Sequence, residues 1–443
     1  MRLVFAALLL LCLLPLSAQA DQEWLVASDL HVNPFDSRPD PSGYTVDTNW
    51  VLFENSLAEM RRTVPNPAVV VIAGDFLAHS FDAKVHQFAP GETVNGAAQS
   101  TMSRIVREFG RAFPHAQFLI TLGNNDDPCG DYRTAPNSAY LQRVAQIWEP
   151  LVNRGGAAPD FARDFSHGGY YTVNLRGSHS RAVVLDDVFW SFLYRSCGSG
   201  APPPRQLTWL NHTLTQTPGG TRNIVLMHIP PGADAAGTLI AHRFFIVPFL
   251  RPNDDSALTS AFAKHRASIA FAVVGHTHRS TFRLVGGVPV LVAPAISPIY
   301  KNNPAFLRLL VESSGTLRDY TQFADDLYGD GWFPQFDFAK TYGVSPFDAH
   351  SLQVAQQRIG ANPDIRAVWI DSLMAGAPDT SEIRWAWRSY WCAQEFTAAR
   401  YASCAGDQRR VVLLPLVLLA IAALVVAAFV WIVVRLASQR SRT

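Results

Sequence analysis

Eight short apolar runs rich in β-branched residues punctuate the chain: Trp24 to Ala27, Ala68 to Ala73, Gln117 to Leu122, Ala182 to Leu185, Asn223 to Met227, Ile269 to Val274, Val288 to Val292 and Phe306 to Val311. Runs of this length and composition read as buried strands. Between them, apolar residues recur with a spacing near 3.6, as over Trp50 to Arg62, Gln99 to Phe113, Ala139 to Val152, Arg205 to Thr215 and Ser256 to His265, which predicts helices. The alternation predicts an α/β domain whose sheet faces are covered by helices. After about Ala324 the pattern changes. Residues 325–406 read as mainly helical, and Trp332, Phe333, Phe336, Trp369, Trp385, Trp387 and Trp391 are expected to pack this region against its neighbour as a helical subdomain.

The two ends are apolar in a different way. Arg2, an apolar run from Leu3 to Leu16 and the small residues of Ser17-Ala18-Gln19-Ala20 predict a cleaved secretory leader over 1–20, with the mature chain starting at Asp21. Val411 to Val434 carries no charge and is followed by Arg435, Arg440 and Arg442. That predicts a transmembrane helix over 411–434 and a cytoplasmic tail over 435–443. Together the ends imply a single-pass membrane protein whose catalytic part is extracytoplasmic, whether periplasmic, lumenal or extracellular. The remaining expected boundaries are 21–324 for a large domain and 325–406 for the helical subdomain.

Charge adds an exclusion. The formal net charge is +1 without a long run of one sign, so there is no nucleic-acid footprint. Cys12 lies in the leader, leaving Cys129, Cys197, Cys392 and Cys404. An even number in an exported chain predicts two disulfides. Three pairings are possible; the short separation of Cys392 and Cys404 favours that pair, with Cys129 to Cys197 as the other.

The chemistry lies where the strands stop. Five runs end at Asp29-Leu30-His31, Gly74-Asp75, Gly123-Asn124-Asn125-Asp126, Met227-His228 and Gly275-His276-Thr277-His278. Asp, Asn and His supply hard oxygens and imidazole nitrogens, a mixture suited to zinc, manganese or iron and not to an all-oxygen calcium cage. Strand ends can bring side chains from distant parts of a sequence to one point. Each motif alone is weak, but the five together predict a single site holding two divalent metals, zinc first, with manganese or iron as alternatives.

The order of these motifs resembles that of the calcineurin-like metallophosphoesterases. Gly74-Asp75-Phe76-Leu77-Ala78-His79, Ile147-Trp148-Glu149-Pro150, Gly168-Gly169-Tyr170-Tyr171, Gln206-Leu207-Thr208-Trp209-Leu210, His228-Ile229-Pro230-Pro231-Gly232 and Gly275-His276-Thr277-His278-Arg279 narrow the resemblance to the acid sphingomyelinase-like phosphodiesterases over roughly residues 24 to 405. The resemblance implies two packed mixed β-sheets flanked by helices in the order α/β/β/α. It places one metal on Asp29, His31 and His278, the other on Asn124, His228 and His276, and Asp75 between them. A hydroxide bridging such a pair attacks phosphorus in line while the metals neutralise phosphoryl charge.

Position 125 departs from the family pattern, where a histidine stands. A neutral amide donates a hydrogen bond but gives up no proton near neutral pH. His79, which matches a second active-site histidine of the sphingomyelinase-like group, is therefore expected to be the general acid, with Asn125 orienting the phosphate. Asp126 reads either as a loop- or histidine-orienting residue or as a plain turn residue, and Asp186 and Asp187 as site-rim or helix-capping residues. His86, His115, His167, His179, His212, His242, His265 and His350 read as surface or packing histidines. Asn211-His212-Thr213 is a glycosylation sequon. The expected function is a metal-dependent phosphoric diester hydrolase acting on a small-molecule or lipid substrate. A polyphosphate or nucleotide phosphoanhydride hydrolase and a catalytically silent metal-binding ectodomain are the alternatives.

Overall fold

The computed structural model describes residues 21–198, 203–241, 245–395, 398–406 and 409–440. The expected leader over 1–20 lies outside them. In chain order the strands are β1 Gln22–Ala27, β2 Val69–Ile72, β3 Gln117–Ile120, β4 Arg133–Thr134, β5 Tyr171–Asn174, β6 Ser180–Val184, β7 Arg195–Ser196, β8 Arg222–Leu226, β9 Ile269–Val274, β10 Thr281–Val285, β11 Val288–Val292, β12 Ala305–Val311, β13 Leu317–Asp326 and β14 Gly331–Asp337. They form two six-stranded sheets, ordered β14-β13-β12-β1-β2-β3 and β10-β11-β9-β8-β6-β5, and a small β4-β7 pair.

Both sheets are mixed. β1, β2 and β3 run parallel, as do β6, β8, β9 and β11, while β12 to β14, β5 and β10 pair antiparallel. The parallel strands are buried on both faces, which is why they read as continuous apolar runs without alternation. Trp24 of β1 packs on Phe271 of β9, with ring centroids 6.2 Å apart, so the core lies between the sheets. Tyr171 of β5 fastens them at one edge: its hydroxyl donates to the Ile120 carbonyl at 2.7 Å and accepts from the Ile120 N–H at 3.0 Å.

Helices cover the outer faces. Trp50–Thr63, Val94–Ala112 and Ala139–Val152 begin where Asn49, Thr93 and Ser138 accept a hydrogen bond from a backbone N–H of the first turn. The two mixed sheets, the flanking helices and a helical C-terminal region match the expected fold. Strand β14 lies within the stretch expected to be helical. Its Trp332, Phe333 and Phe336 extend the first sheet at its edge, where Pro334 costs no central ladder bond. Helices then run from Phe338–Tyr342 to Ala398–Cys404, with Trp369 buried among them.

The expected membrane anchor needs correction. Helix Arg409–Arg440 runs through the segment concerned. However, among the described residues no helix is long and apolar enough to cross a membrane. The transmembrane helix over 411–434, the cytoplasmic tail over 435–443, the membrane as a partner and the single-pass extracytoplasmic topology are therefore not upheld.

Candidate metal centre

Each chemical motif sits in the loop at the carboxyl end of a parallel strand, and these ends gather at one side of the two sheets. Asp29 and His31 follow β1, Asp75 and His79 follow β2, and Asn124 and Asn125 follow β3. His228 follows β8, and His276 and His278 follow β9. The loops are knitted to one another: the Asp29 N–H donates to the Gly74 carbonyl at 3.0 Å, that of His31 to Asp75 at 2.9 Å, and that of Gly275 to His228 at 2.9 Å. Asp29, His31, Asp75, His276 and His278 all have positive φ, between 41° and 71°. Non-glycine residues in this region carry strain that only a tightly determined site sustains. Gly74 and Gly123 allow the close approach. A Cβ at Gly123 would stand 2.2 Å from Asp75 Oδ1, and one at Gly74 would stand 2.7 Å from His228 Nδ1.

The side chains meet around Asp75. Its Oδ2 lies 3.4 Å from His31 Nε2 and 3.3 Å from His228 Nε2. On the first side, His31 Nε2 is 3.1 Å from His278 Nε2, which is 3.5 Å from Asp29 Oδ1. On the second side, Asn124 Oδ1 is 3.1 Å from His228 Nε2, and Asp75, His228 and His276 present ligand atoms within 4.8 Å of one another. Outer partners set these orientations. His31 Nδ1 donates to the Leu77 carbonyl at 3.0 Å and His228 Nδ1 to the Ala73 carbonyl at 2.7 Å. Asn124 Nδ2 donates to Asp131 at 2.7 Å, which turns its carbonyl oxygen inward.

This arrangement fits divalent cations. With Nδ1 of His31 committed as a donor, its Nε2 offers a lone pair to the cluster, 3.1 Å from Nε2 of His278. Burial pushes His31 down to about 4 and His276 down to about 3, so both offer neutral imidazoles. At His228 burial also opposes charge, yet Asp75 outweighs it and the imidazole is pushed up to about 10. The buried carboxylates thus draw positive charge inward. The His/Asp clusters can hold one or two divalent ions.

His79 stands beside the first group, stacked on His31 with centroids 3.9 Å apart. Its Nδ1 is 2.8 Å from Asp47 Oδ1, and Lys84 Nζ lies 3.1 Å from Asp47 Oδ2. Its Nε2 faces the Tyr300 hydroxyl at 3.4 Å. Asn125 adjoins Asp75. Its backbone N–H donates to Asp75 Oδ1 at 2.8 Å and its side-chain amide to Asp75 Oδ2 at 3.0 Å. Asp126 accepts from the N–H groups of Asp75, Phe76, Leu77 and Gly123, tying two of the loops together. Asp186 caps the turn at Val188, whereas Asp187 accepts from the N–H groups of His228 and Ile229 and holds their loop.

Sequence reasoning did not single out Asp47, Lys84, Asp131, Tyr132 or Tyr300. Asp131, seven residues after Asn124, is the one whose position in a motif loop offered a signal. His86, His115, His167, His179, His212, His265 and His350 join no metal-capable cluster among the described residues, and His242 lies outside them. Cys129 and Cys197 are disulfide-bonded with Cα atoms 6.0 Å apart, and Cys392 and Cys404 with Cα atoms 5.7 Å apart.

A two-sheet α/β frame presenting paired His/Asp clusters at its strand ends defines a metallophosphoesterase, a metal-binding hydrolase. The sequence model of the calcineurin-like phosphoesterases matches residues 24–280, and the chain belongs to that family. Its relatives include sphingomyelinase phosphodiesterase C of Dictyostelium discoideum, 26% identical over 71% of this chain and 73% of the relative. Human acid sphingomyelinase-like phosphodiesterase 3b is 25% identical over 78% of this chain and 81% of its own length. The bovine cyclic GMP-AMP phosphodiesterase SMPDL3A is 24% identical over 71% of each.

Proposed function

We propose that the chain is a metal-dependent phosphoric diester hydrolase of the acid sphingomyelinase-like type. The observation that carries this reading is the Asp75 carboxylate, set between His31 and His228 at 3.4 and 3.3 Å so that one side chain serves two clusters. Asp29, His31 and His278 would hold one ion, Asn124, His228 and His276 the other, and Asp75 both. Such ions, when bound, lower the pKa of water and neutralise charge on phosphoryl oxygens.

The chain's own residues supply the rest. Asn125 holds Asp75 through two hydrogen bonds and so fixes the shared carboxylate. His79, with Nδ1 committed to Asp47, presents Nε2 beside the Tyr300 hydroxyl, where it can pass a proton to the leaving-group oxygen. Tyr300 marks where that oxygen would lie, since its hydroxyl already faces His79 Nε2. Burial pulls the His79 pKa down, but the hydrogen bond and charge of Asp47 outweigh it and the net shift is upward, which favours the proton-carrying form.

The test is hydrolysis of bis(p-nitrophenyl) phosphate and of p-nitrophenyl phosphate by the full chain, with Zn²⁺ or Mn²⁺ and with chelator. Metal-dependent cleavage of the diester in preference to the monoester, reduced about 10²–10³-fold in Asp75→Asn, is expected. A chain that binds metal and cleaves neither ester, nor a nucleoside diester, sinks this reading and leaves the silent metal-binding domain or a phosphoanhydride hydrolase. The Asn at position 125, with its amide committed to Asp75, favours a second reading. A phosphoanhydride such as a nucleotide or polyphosphate has a leaving group that needs little protonation.

A further inference from the structure

The loop after β3 carries two consecutive residues that reach ligands of the second ion, the one assigned to Asn124, His228 and His276. Asp131 accepts from the Asn124 side-chain amide at 2.7 Å. The Tyr132 hydroxyl lies 3.3 Å from His276 Nε2, its ring edge-on to the imidazole with centroids 6.0 Å apart. The Tyr132 N–H donates to the Asn124 carbonyl at 2.9 Å, which closes the loop back on the same ligand. Ligands of the first ion are oriented from elsewhere: His31 Nδ1 by the Leu77 carbonyl, and Asp29 Oδ2 by the Ser28 hydroxyl at 2.5 Å.

Tyr132 needs help to stand where it does. It sits at φ 55°, in the left-handed region that a bulky side chain rarely adopts, so the surrounding contacts must hold it there. Those contacts come from the segment around β7. The Arg195 N–H donates to the Tyr132 carbonyl at 3.0 Å and the Cys197 N–H to the Thr134 carbonyl at 3.1 Å. Strands β4 and β7 pair only through Arg133 with Arg195 and Thr134 with Ser196, a ladder too short to hold itself together. The Cys129–Cys197 disulfide brackets it, one cysteine preceding β4 and the other following β7.

We infer that Tyr132 and Asp131 are positioning residues of the second ion, and that the Cys129–Cys197 disulfide keeps them in place. One of the two metal sites is thereby completed by a covalently closed loop, and the other is not. With His276 Nε2 engaged by the Tyr132 hydroxyl, Nδ1 is the nitrogen left for an ion, and the hydrogen bond fixes the rotation of the ring. The inference rests on the two-ion reading above and adds what governs one half of it.

The experiment titrates the metal-free full chain with Mn²⁺. Competition with a chelating dye gives a dissociation constant for each ion, and the EPR spectrum shows whether bound ions are neighbours, since paired Mn²⁺ ions couple and a lone one does not. The constant lost in His276→Ala marks the second ion. Tyr132→Phe removes one hydroxyl, and it should weaken that constant about tenfold while the other constant and the thermal midpoint of the metal-free chain stay in place. Asp131→Ala should act alike, and Asp131→Asn, which keeps an acceptor for Asn124, should recover most of the loss. Cys129→Ser with Cys197→Ser should weaken the same constant about a hundredfold and give the lone-ion spectrum where the wild type shows a pair. Adding Tyr132→Phe to the serine pair should cost little more, because the hydroxyl has already lost its place.

Tyr132→Phe and Asp131→Ala decide the matter even where the serine pair does not fold. Both constants unmoved in these two variants, or both weakened alike, overturn the inference alone. A folded serine pair with wild-type constants overturns the part given to the disulfide. A wild-type chain that takes up a single Mn²⁺ overturns the two-ion reading and this inference with it.

Discussion

At the scale of single residues, the site depends on what stands behind the motif side chains. His79 illustrates this. Asp47 accepts from its Nδ1 at 2.8 Å and is itself held by Lys84, so both the tautomer and the ring orientation are set from outside the motif. The net upward shift of His79 comes from Asp47 overcoming burial. A general acid works in its protonated form, so activity should fall as pH rises through the His79 pKa. Replacing Asp47 by Asn removes the raising influence and leaves the burial, which moves the alkaline limb to lower pH. The expected result for Asp47→Asn is a kcat lowered about 10²-fold at neutral pH, with the alkaline limb of the kcat profile displaced downward and metal content unchanged. An alkaline limb that stays in place would exclude His79 as the acid. Motif residues such as His228 and Asp75 were legible because their spacing is itself a chemical pattern. Asp47 was not legible, because an isolated Asp in a loop carries no period, and only the fold brings it to His79.

At the scale of elements, the fully buried strands were legible and several of their antiparallel neighbours were not. β9 and β11 coincide with apolar runs because they are buried on both faces. β10 was invisible, since Thr281-Phe282-Arg283-Leu284-Val285 places a charge in the middle of a short run. That charge has a function in the loop it reaches. Arg283 is buried, donates to the Pro231 carbonyl at 2.9 Å and to that of Ala233 at 3.1 Å, and so clamps the loop that begins at His228. Burial pushes its guanidinium down to about 10, with Asp234 and Asp255 opposing, so it stays charged near neutral pH. Arg283→Leu leaves two carbonyls unmet and frees that loop. We expect a loss of about 2–4 kcal/mol in denaturant unfolding and a weaker metal complex in competition titration, whereas Arg283→Lys should recover part of both. Strand β14 was read as helix for a related reason: a run with three aromatics and a proline has no clear period, and it was its antiparallel partner β13 that decided its state.

At the scale of the whole molecule, the two sheets converge their parallel strand ends on one cluster, so folding and metal binding draw on the same contacts. The cluster is a strained arrangement: five of its residues sit at positive φ. The unfolded chain cannot assemble ligands separated by some 250 positions, so a divalent ion binds the folded state almost alone and must stabilise it. At a free metal concentration one hundred times Kd, the gain is about 2.7 kcal/mol. For a chain of this size, with an unfolding entropy of about 2.1 cal/mol/K per residue, that corresponds to a rise of about 3 °C in thermal midpoint. The rise should grow with the logarithm of metal concentration, reverse with chelator and be largely lost in Asp75→Asn, which removes the shared ligand. Asp127→Asn supplies the contrast, because Asp127 is buried beside the Cys129–Cys197 disulfide and not among the cluster, so its metal-dependent rise should match the wild type. A midpoint indifferent to Zn²⁺ and Mn²⁺ in the unaltered chain would mean that the cluster, for all its geometry, does not take up the ions it is shaped to hold.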